Sequence, residues 1–311
     1  MPRIILDTDP GIDDALALLL ALASPEVQLE AVTTVSGNVD VEQTTRNALT
    51  LLAFAGRTDI PVARGCALPL VRQPIAADYV HGKNGLGEVI LPASEGGPVA
   101  QHAVDLLIEK VVGNPGAISI VAIGPLTNLA LAVRKEPRIA HLVREVVIMG
   151  GALRVPGNTT ASAEFNIYAD PHAAHIVFHA GWPLRLVSLD ATHQVAVKRS
   201  EIKAFTRGGG KIKTFIREMF AYYFEYFSPK YNTYDFHMHD PLALAAAFQP
   251  DLISWEPAHI DVELTGTLTL GETVADFAGP DAPTPNALVS VGADRDRFVQ
   301  LFMQRLDSAF A

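Results

Sequence analysis

The 311-residue sequence holds a single cysteine, Cys66, which leaves no partner for an intrachain disulfide and excludes a Cys-rich zinc site. A reducing, cytoplasmic setting is expected. Positive charge is also scarce: 24 Lys and Arg stand against 34 Asp and Glu, a formal net charge of −10. Long-range attraction to a polyanion is therefore unfavourable, and nucleic acid is not an expected partner. Long apolar runs are missing too. The longest, Ala15 to Ala23, has nine residues and follows Asp13 and Asp14, far short of the roughly 20 that cross a bilayer, so neither a membrane span nor a secretion signal is expected. No repeat or low-complexity linker divides the chain, and Gly208 to Gly210 is no more than a loop. What remains is 49% hydrophobic and 19% charged, enough to bury a sizeable core. One globular domain covering 1–311 is expected.

The periodicity alternates between strand and helix. Residues 3–8 (RIILDT) predict a buried strand, and 12–23 a helix apolar around most of its circumference. A second strand over 27–35 precedes a helix over 40–55, opened by Asp40 with Gln43 three positions later. Further strands are predicted at 117–123, 145–149, 184–189 and 257–264, with helices near 99–112, 125–135 and 170–180. Repeated β-α units of this kind imply an α/β fold, a mainly parallel, Rossmann-like sheet with helices on both faces. After residue 200 helical stretches at 213–227 and 241–248 predict a cap near the C-terminal strand ends.

The first strand runs into Asp7-Thr8-Asp9-Pro10-Gly11-Ile12-Asp13-Asp14, four carboxylates in eight residues, where open α/β sheets bind ligands. Asp7 and Asp9 share a strand face, and Asp9 meets Asp13 if the helix starts at Pro10. Capping explains each acid singly, with Asp9 as N-cap and Asp13 and Asp14 at the positive end of the helix dipole. It does not explain the group, because gathered carboxylates repel by several kcal/mol unless a cation or shared protons neutralise them. An oxygen-only ligand set favours Ca²⁺ or Mg²⁺ over zinc.

Other segments carry polar groups with weaker signals. The loop Tyr79 to Gly87 holds His81 among glycines but lacks the order of a phosphate-binding loop. Thr127 and Asn128 follow a strand and are placed to cap a helix. Asn158, Glu164 and Asn166 lie beyond the Gly150-Gly151 turn, and Glu164 and Asn166 share a side if that stretch is extended. His239 and Asp240 precede an apolar helix; Asp240 is placed to be its N-cap, and an imidazole beside a carboxylate is also a proton donor beside a metal ligand. Of the aromatic run at 222–227 the apolar members are expected in the core, leaving Tyr231 and Tyr234 to face a flat ligand ring.

Together the blocks DTDPGIDDA, TTVSGN, HGKNGLG, IGPLTN, MGG, GN…AEFNIYADP and MHDP, in order from residue 7 to 241, resemble the inosine-uridine-preferring nucleoside hydrolases. The resemblance implies a Ca²⁺ held by Asp9, Asp14, Asp240 and the backbone carbonyl of Ile123. It implies that Asn158, Glu164 and Asn166 grip the ribose hydroxyls, with Asn38 and Met149 nearby, and that the chain forms a homodimer or homotetramer. The link from MGG to GN, residues 152–156, is slightly longer than the family's, and 213–234 has no residue-by-residue match.

Cleavage of an N-glycosidic bond passes through an oxocarbenium-like sugar, which calls for an activated water on one side and a proton supply at the base. The expected roles are Asp9 as general base toward a Ca²⁺-positioned water, Asp13 on a ribose hydroxyl, and His239 with His81 as proton donors, with inversion at the anomeric carbon. Purine and pyrimidine nucleosides both stay open. Two rivals remain: a haloacid-dehalogenase-like Mg²⁺ phosphatase using Asp7 and Asp9, against which the absence of its late acidic motif counts, and a non-catalytic nucleoside or ribose binder.

Overall fold

In the computed structural model, residues 1–231, 234–277 and 283–310 are described, without the side chain of Tyr231. The strands are β1 (Arg3–Thr8), β2 (Gln28–Thr34), β3 (Val62–Arg64), β4 (Ile118–Ala122), β5 (Glu145–Met149), β6 (Leu184–Val187), β7 (Ala196–Lys198), β8 (Asp235–His237), β9 (Ile253–Val262), β10 (Thr273–Asp276) and β11 (Ala287–Ala293). Nine of them form one sheet in the order β10-β9-β11-β6-β5-β4-β1-β2-β3. Every pairing from β3 across to β11 is parallel, and β9 pairs antiparallel with both β11 and β10. The short ribbon β7-β8 stands apart. The mainly parallel α/β fold read from the sequence is the fold observed.

Alternation along β1 divides the core. Ile4 and Leu6 face one apolar layer and Ile5 the other, as a two-residue side-chain period requires. The first helix, α1 (Ile12–Ala23), lies in the layer of Ile4 and Leu6. It is buried nearly all round because the helices His239–Ala246 and Arg295–Ala309 pack over it, and each fully buried Leu there contributes about 1.5–3 kcal/mol. The helices Ala103–Gly113, Thr127–Lys135 and Pro171–Phe178 cover the other face.

Several boundaries differ from the sequence-based expectations. The first helix spans Ile12–Ala23 as the periodicity predicts, but its N-cap is Gly11 and not Asp9, so Asp9 is freed from capping. The helix after β8 begins at His239 with Met238 as N-cap, which likewise releases Asp240. Asp40 does cap its helix, accepting from Gln43 N–H at 2.9 Å. The helices after residue 200 run Arg199–Phe205, Lys211–Tyr222 and, after a π-helical turn at Tyr223–Phe227, Ser228–Tyr231. That turn packs on the short helix Asp78–His81.

Candidate active site

The parallel strands end together, and a cavity of about 720 Å³ opens above their C-terminal edge. Its floor is acidic. Asp13 and Asp14 in the first turn of α1 and Asp240 in the first turn of its helix bring carboxylate oxygens within 4.8 Å of one another. Asp14 is held by four donors: Thr8 Oγ1 at 2.5 Å, Asp9 N at 3.2 Å, Gly11 N at 2.9 Å and Asn38 Nδ2 at 3.0 Å. Asp9 lies beside them, 1% exposed, with Oδ2 accepting from Asn38 N at 2.7 Å and Oδ1 buried with no hydrogen-bond partner. Two glycines make room for it: a Cβ on Gly37 would stand 2.0 Å from Asp9 Oδ2, and one on Gly124 2.4 Å from Oδ1.

These carboxyls titrate abnormally. Burial, and after it the neighbouring Asp14, lifts Asp9 well above the usual range and Asp13 to about 8; Asp240 rises through burial, then Asp13 and Asp14. Clustered, dry carboxyls retain protons unless a positive charge replaces them. An all-oxygen donor set with one orphaned buried oxygen fits a hard divalent cation.

The facing wall comes from the segment after β5. Glu164 caps the helix Phe165–Ala169, its Oε1 accepting from Asn166 N at 2.9 Å and its Oε2 from Gly151 N at 3.0 Å and Ile167 N at 3.2 Å. Asn166 Nδ2 donates to the Ile123 carbonyl at 2.9 Å and the Met149 carbonyl at 3.1 Å, tying the ends of β4 and β5 together. Asn158 Oδ1 accepts from Phe165 N at 2.9 Å. Glu164 and Asn166 thus share the cavity through a helix cap, not through an extended strand as the sequence suggested.

Imidazoles make the remaining side. Ile12 N–H donates to His81 Nδ1 at 3.0 Å, so that nitrogen carries no proton and Nε2–H is the donor left. His239 Nδ1 lies 2.7 Å from Thr192 Oγ1. His193 and His237 stand beside it, their ring centres 5.9 and 5.5 Å from that of His239. Burial lowers His81 to about 4, and burial, with the neighbouring rings His237 and His193, lowers His239 well below its ordinary value. Both proton donors expected from the sequence are thus shifted toward the neutral form, in which each ring is a hydrogen-bond partner.

The profile of the family described as inosine-uridine preferring nucleoside hydrolase matches residues 4–300 of this chain. The chain belongs to that family. The chain is 42% identical over 310 residues to an inosine-uridine preferring nucleoside hydrolase of Crithidia fasciculata, covering 99% of this chain and 98% of that one. A pyrimidine-specific ribonucleoside hydrolase of Salmonella paratyphi B, RihA, is 41% identical over 97% of both chains. Among solved structures, a plant nucleoside hydrolase superposes with a TM-score of 0.93 at 39% identity, covering 98% of each chain. The protein is thus an enzyme, a ribonucleoside hydrolase that splits an N-glycosidic bond.

In this nucleoside hydrolase the residues singled out in the sequence gather at one place. Asp13, Asn38, His81, Ile123, Met149, Asn158, Glu164, Asn166, His239 and Asp240 all line the cavity, with Asp9 and Asp14 bonded behind Asn38. Asp7 does not join them. It points to Thr33 Oγ1 at 2.5 Å and Asn128 Nδ2 at 2.8 Å and is fully buried beneath the floor. Tyr231 lies outside the described side chains, and Tyr234 is 69% exposed and off the cavity lining. Their expected place is taken by Tyr223 and by Phe227, which the sequence had assigned to the core. Their rings are 5.0 Å apart on the π-helical turn, which aims both inward. His193 and His237 also line the cavity, without a role expected from the sequence. For His237 a signal existed, since it stands two before His239 at the end of β8; His193, after a four-residue helix, offered none.

Burial lifts Glu164 to about 7 against the backbone donors that favour its charged form. Its folded-state pKa thus exceeds the unfolded value of 4.5, and between 4.5 and about 7 the folded chain alone keeps the proton. Stability is full below that window and falls as pH rises through it, by roughly 3 kcal/mol from this group. Glu164→Gln removes that part of the slope. Chemical denaturation of chelated wild type and variant at pH 4.5, 6 and 7.5 checks it, and parallel curves would refute it.

Proposed function

We propose that this enzyme is a Ca²⁺-dependent hydrolase of ribonucleosides, purine, pyrimidine or both, that releases ribose and free base by direct, inverting attack of water. The observation carrying the proposal is the buried Asp13, Asp14 and Asp240 cluster facing Asn158, Glu164 and Asn166 across one cavity. Asp9, Asp14, Asp240 and the Ile123 carbonyl would hold the ion, with Asp13 close enough to join or to bind a ribose hydroxyl. When bound, Ca²⁺ supplies the charge that discharges these carboxyls and makes a nearby water more acidic.

The chain's own groups do the rest. Asp9 Oδ1, buried and unbonded, is the oxygen able to take a proton. Asn158, Glu164 and Asn166 orient the sugar hydroxyls, and Glu164 is rigid because three backbone N–H groups hold it. The Nε2–H of His81 and the ring of His239 hydrogen-bond the departing base, while Tyr223 and Phe227 offer it flat apolar faces and exclude water.

The cavity also speaks about charge. Among the described residues no Lys or Arg lines it, so a phosphate dianion would meet carboxylates without a counter-charge. A neutral nucleoside suits it and a phosphomonoester does not. The phosphatase alternative also needs Asp7 as nucleophile, and Asp7 is turned away.

Inosine, uridine and cytidine incubated with the protein in Ca²⁺ should each be assayed for free ribose, with an excess of chelator in parallel and a nucleoside monophosphate as control. Ribose from at least one nucleoside, lost on chelation and first appearing as the inverted anomer by NMR, is the expected result. Retained anomer, chelator-insensitive turnover or phosphate release would sink the proposal.

A further inference from the structure

On the face of the sheet opposite α1, two histidines one helical turn apart meet an aspartate from a different element. His175 lies on the helix Pro171–Phe178 and His179 closes that helix as its C-cap. Asp261 lies on β9, and one ligand atom from each of the three falls within 4.8 Å of the others. The apolar sides of both elements, Ala174, Val177 and Phe178 against Ala258, Ile260 and Val262, share one core layer, so the backbone holding the cluster is rigid.

The hydrogen bonds around the cluster fix its tautomers. His179 Nδ1 lies 2.9 Å from the His175 carbonyl, which only accepts, so Nδ1 carries the proton and Nε2 presents a lone pair. That lone pair faces Asp261 Oδ2 at 3.9 Å, too far for a hydrogen bond and the wrong pairing for one. Two arms of about 2.0–2.1 Å from a tetrahedral ion span about 3.3 Å, so a shift of about half an ångström closes the gap around a metal. An imidazole that donates its other N–H to a backbone carbonyl has the outer support that metal-bound histidines use. Asp261 Oδ1 accepts from Val262 N at 2.7 Å and from His175 Nδ1–H at 2.9 Å, and His175 becomes a ligand through Nδ1 once that proton is carried on Nε2 instead and the ion takes its place. His259, two residues before Asp261 and so on the same strand face, gives its Nδ1 to the Thr284 carbonyl at 2.9 Å and sets its ring 6.0 Å from that of His179.

We propose that His175, His179 and Asp261, with His259 at the rim, form a second metal site that takes a Zn²⁺-class transition ion and clips the helix Pro171–Phe178 to β9. Two imidazoles and one carboxylate select such ions, whereas Ca²⁺ requires a larger oxygen shell. The site is chemically distinct from the acidic floor and lies outside the cavity lining.

Tag-free, metal-stripped protein is first saturated with Ca²⁺ and then titrated with Zn²⁺ by calorimetry and with Co²⁺ by visible absorption. One equivalent binds, with a tetrahedral Co²⁺ band, and Zn²⁺ raises the Tm. His179→Gln and Asp261→Asn weaken Zn²⁺ binding by about tenfold or more, abolish the Tm rise and leave nucleoside hydrolysis in Ca²⁺ unchanged. Melting without Zn²⁺ confirms that both variants are folded. Binding that is absent from wild type, unaltered in both variants, or lost in His239→Ala instead would overturn the proposal.

Discussion

Asp9→Ala is expected to lower kcat for uridine or inosine by about four orders of magnitude or more, the combined loss of a proton acceptor and of one oxygen from a charged site. Asn38 gives its N–H groups to Asp9 and Asp14 and so offers no proton acceptor in place of Asp9, and the glycines flanking Asp9 bring no side chain. Asp9→Asn preserves the volume and the hydrogen bond from Asn38, and it should be as inactive, because an amide accepts no proton at this pH. The same exchange should leave the chelated protein as stable as wild type or more so, since it removes a buried acid lifted well above its usual pKa. Activity and melting measured on the same preparation separate chemistry from folding. A kcat within tenfold of wild type would remove Asp9 from the reaction.

The second large effect belongs to His239. His239→Ala is expected to slow hydrolysis of inosine and uridine by about 10²–10⁴-fold and that of 4-nitrophenyl riboside by less than about tenfold, because nitrophenolate departs without a proton. The structure sharpens the expected chemistry. His239 is buried, contacts Thr192 Oγ1 and is surrounded by His193, His237 and His81, so it rests as a neutral ring. In the proposed mechanism it would act by a hydrogen bond that strengthens as charge builds on the base, and not as a stored imidazolium. His81→Ala should show the same split, with its Nε2–H removed. Equal losses on both substrates would assign His239 to packing.

The parts of the fold legible in advance are those with local signals. A buried strand running into Asp-Pro-Gly marks β1 and the start of α1, and Asp40 with Gln43 marks the next helix. β11 and the helix Arg295–Ala309 went unread. The strand ALVSVGA mixes Ser and Gly into its run, and the helix is polar on average, although Phe298, Phe302 and Leu306 do recur every four residues behind the N-cap Asp294. Three-residue strands such as β3 and β7 are too short to show a period. In the site, carboxylates and amides that stand in dense short motifs were found. Which acid would turn away was not legible, because the Thr33 and Asn128 that capture Asp7 lie on β2 and on the helix after β4. Nor was the inward aim of Tyr223 and Phe227, which depends on one extra residue in a helical turn.

The bond from Ile12 N–H to His81 joins the acidic floor of the cavity to its imidazole side. The amide belongs to the same helical turn that carries Asp13 and Asp14, and the imidazole to the short helix Asp78–His81 on the cavity wall. On the proposed arrangement, with a cation at the acidic floor and the base beside His81, linkage requires any coupling to be mutual: a nucleobase mimic that steadies His81 would tighten cation retention by the same factor by which the cation tightens the mimic.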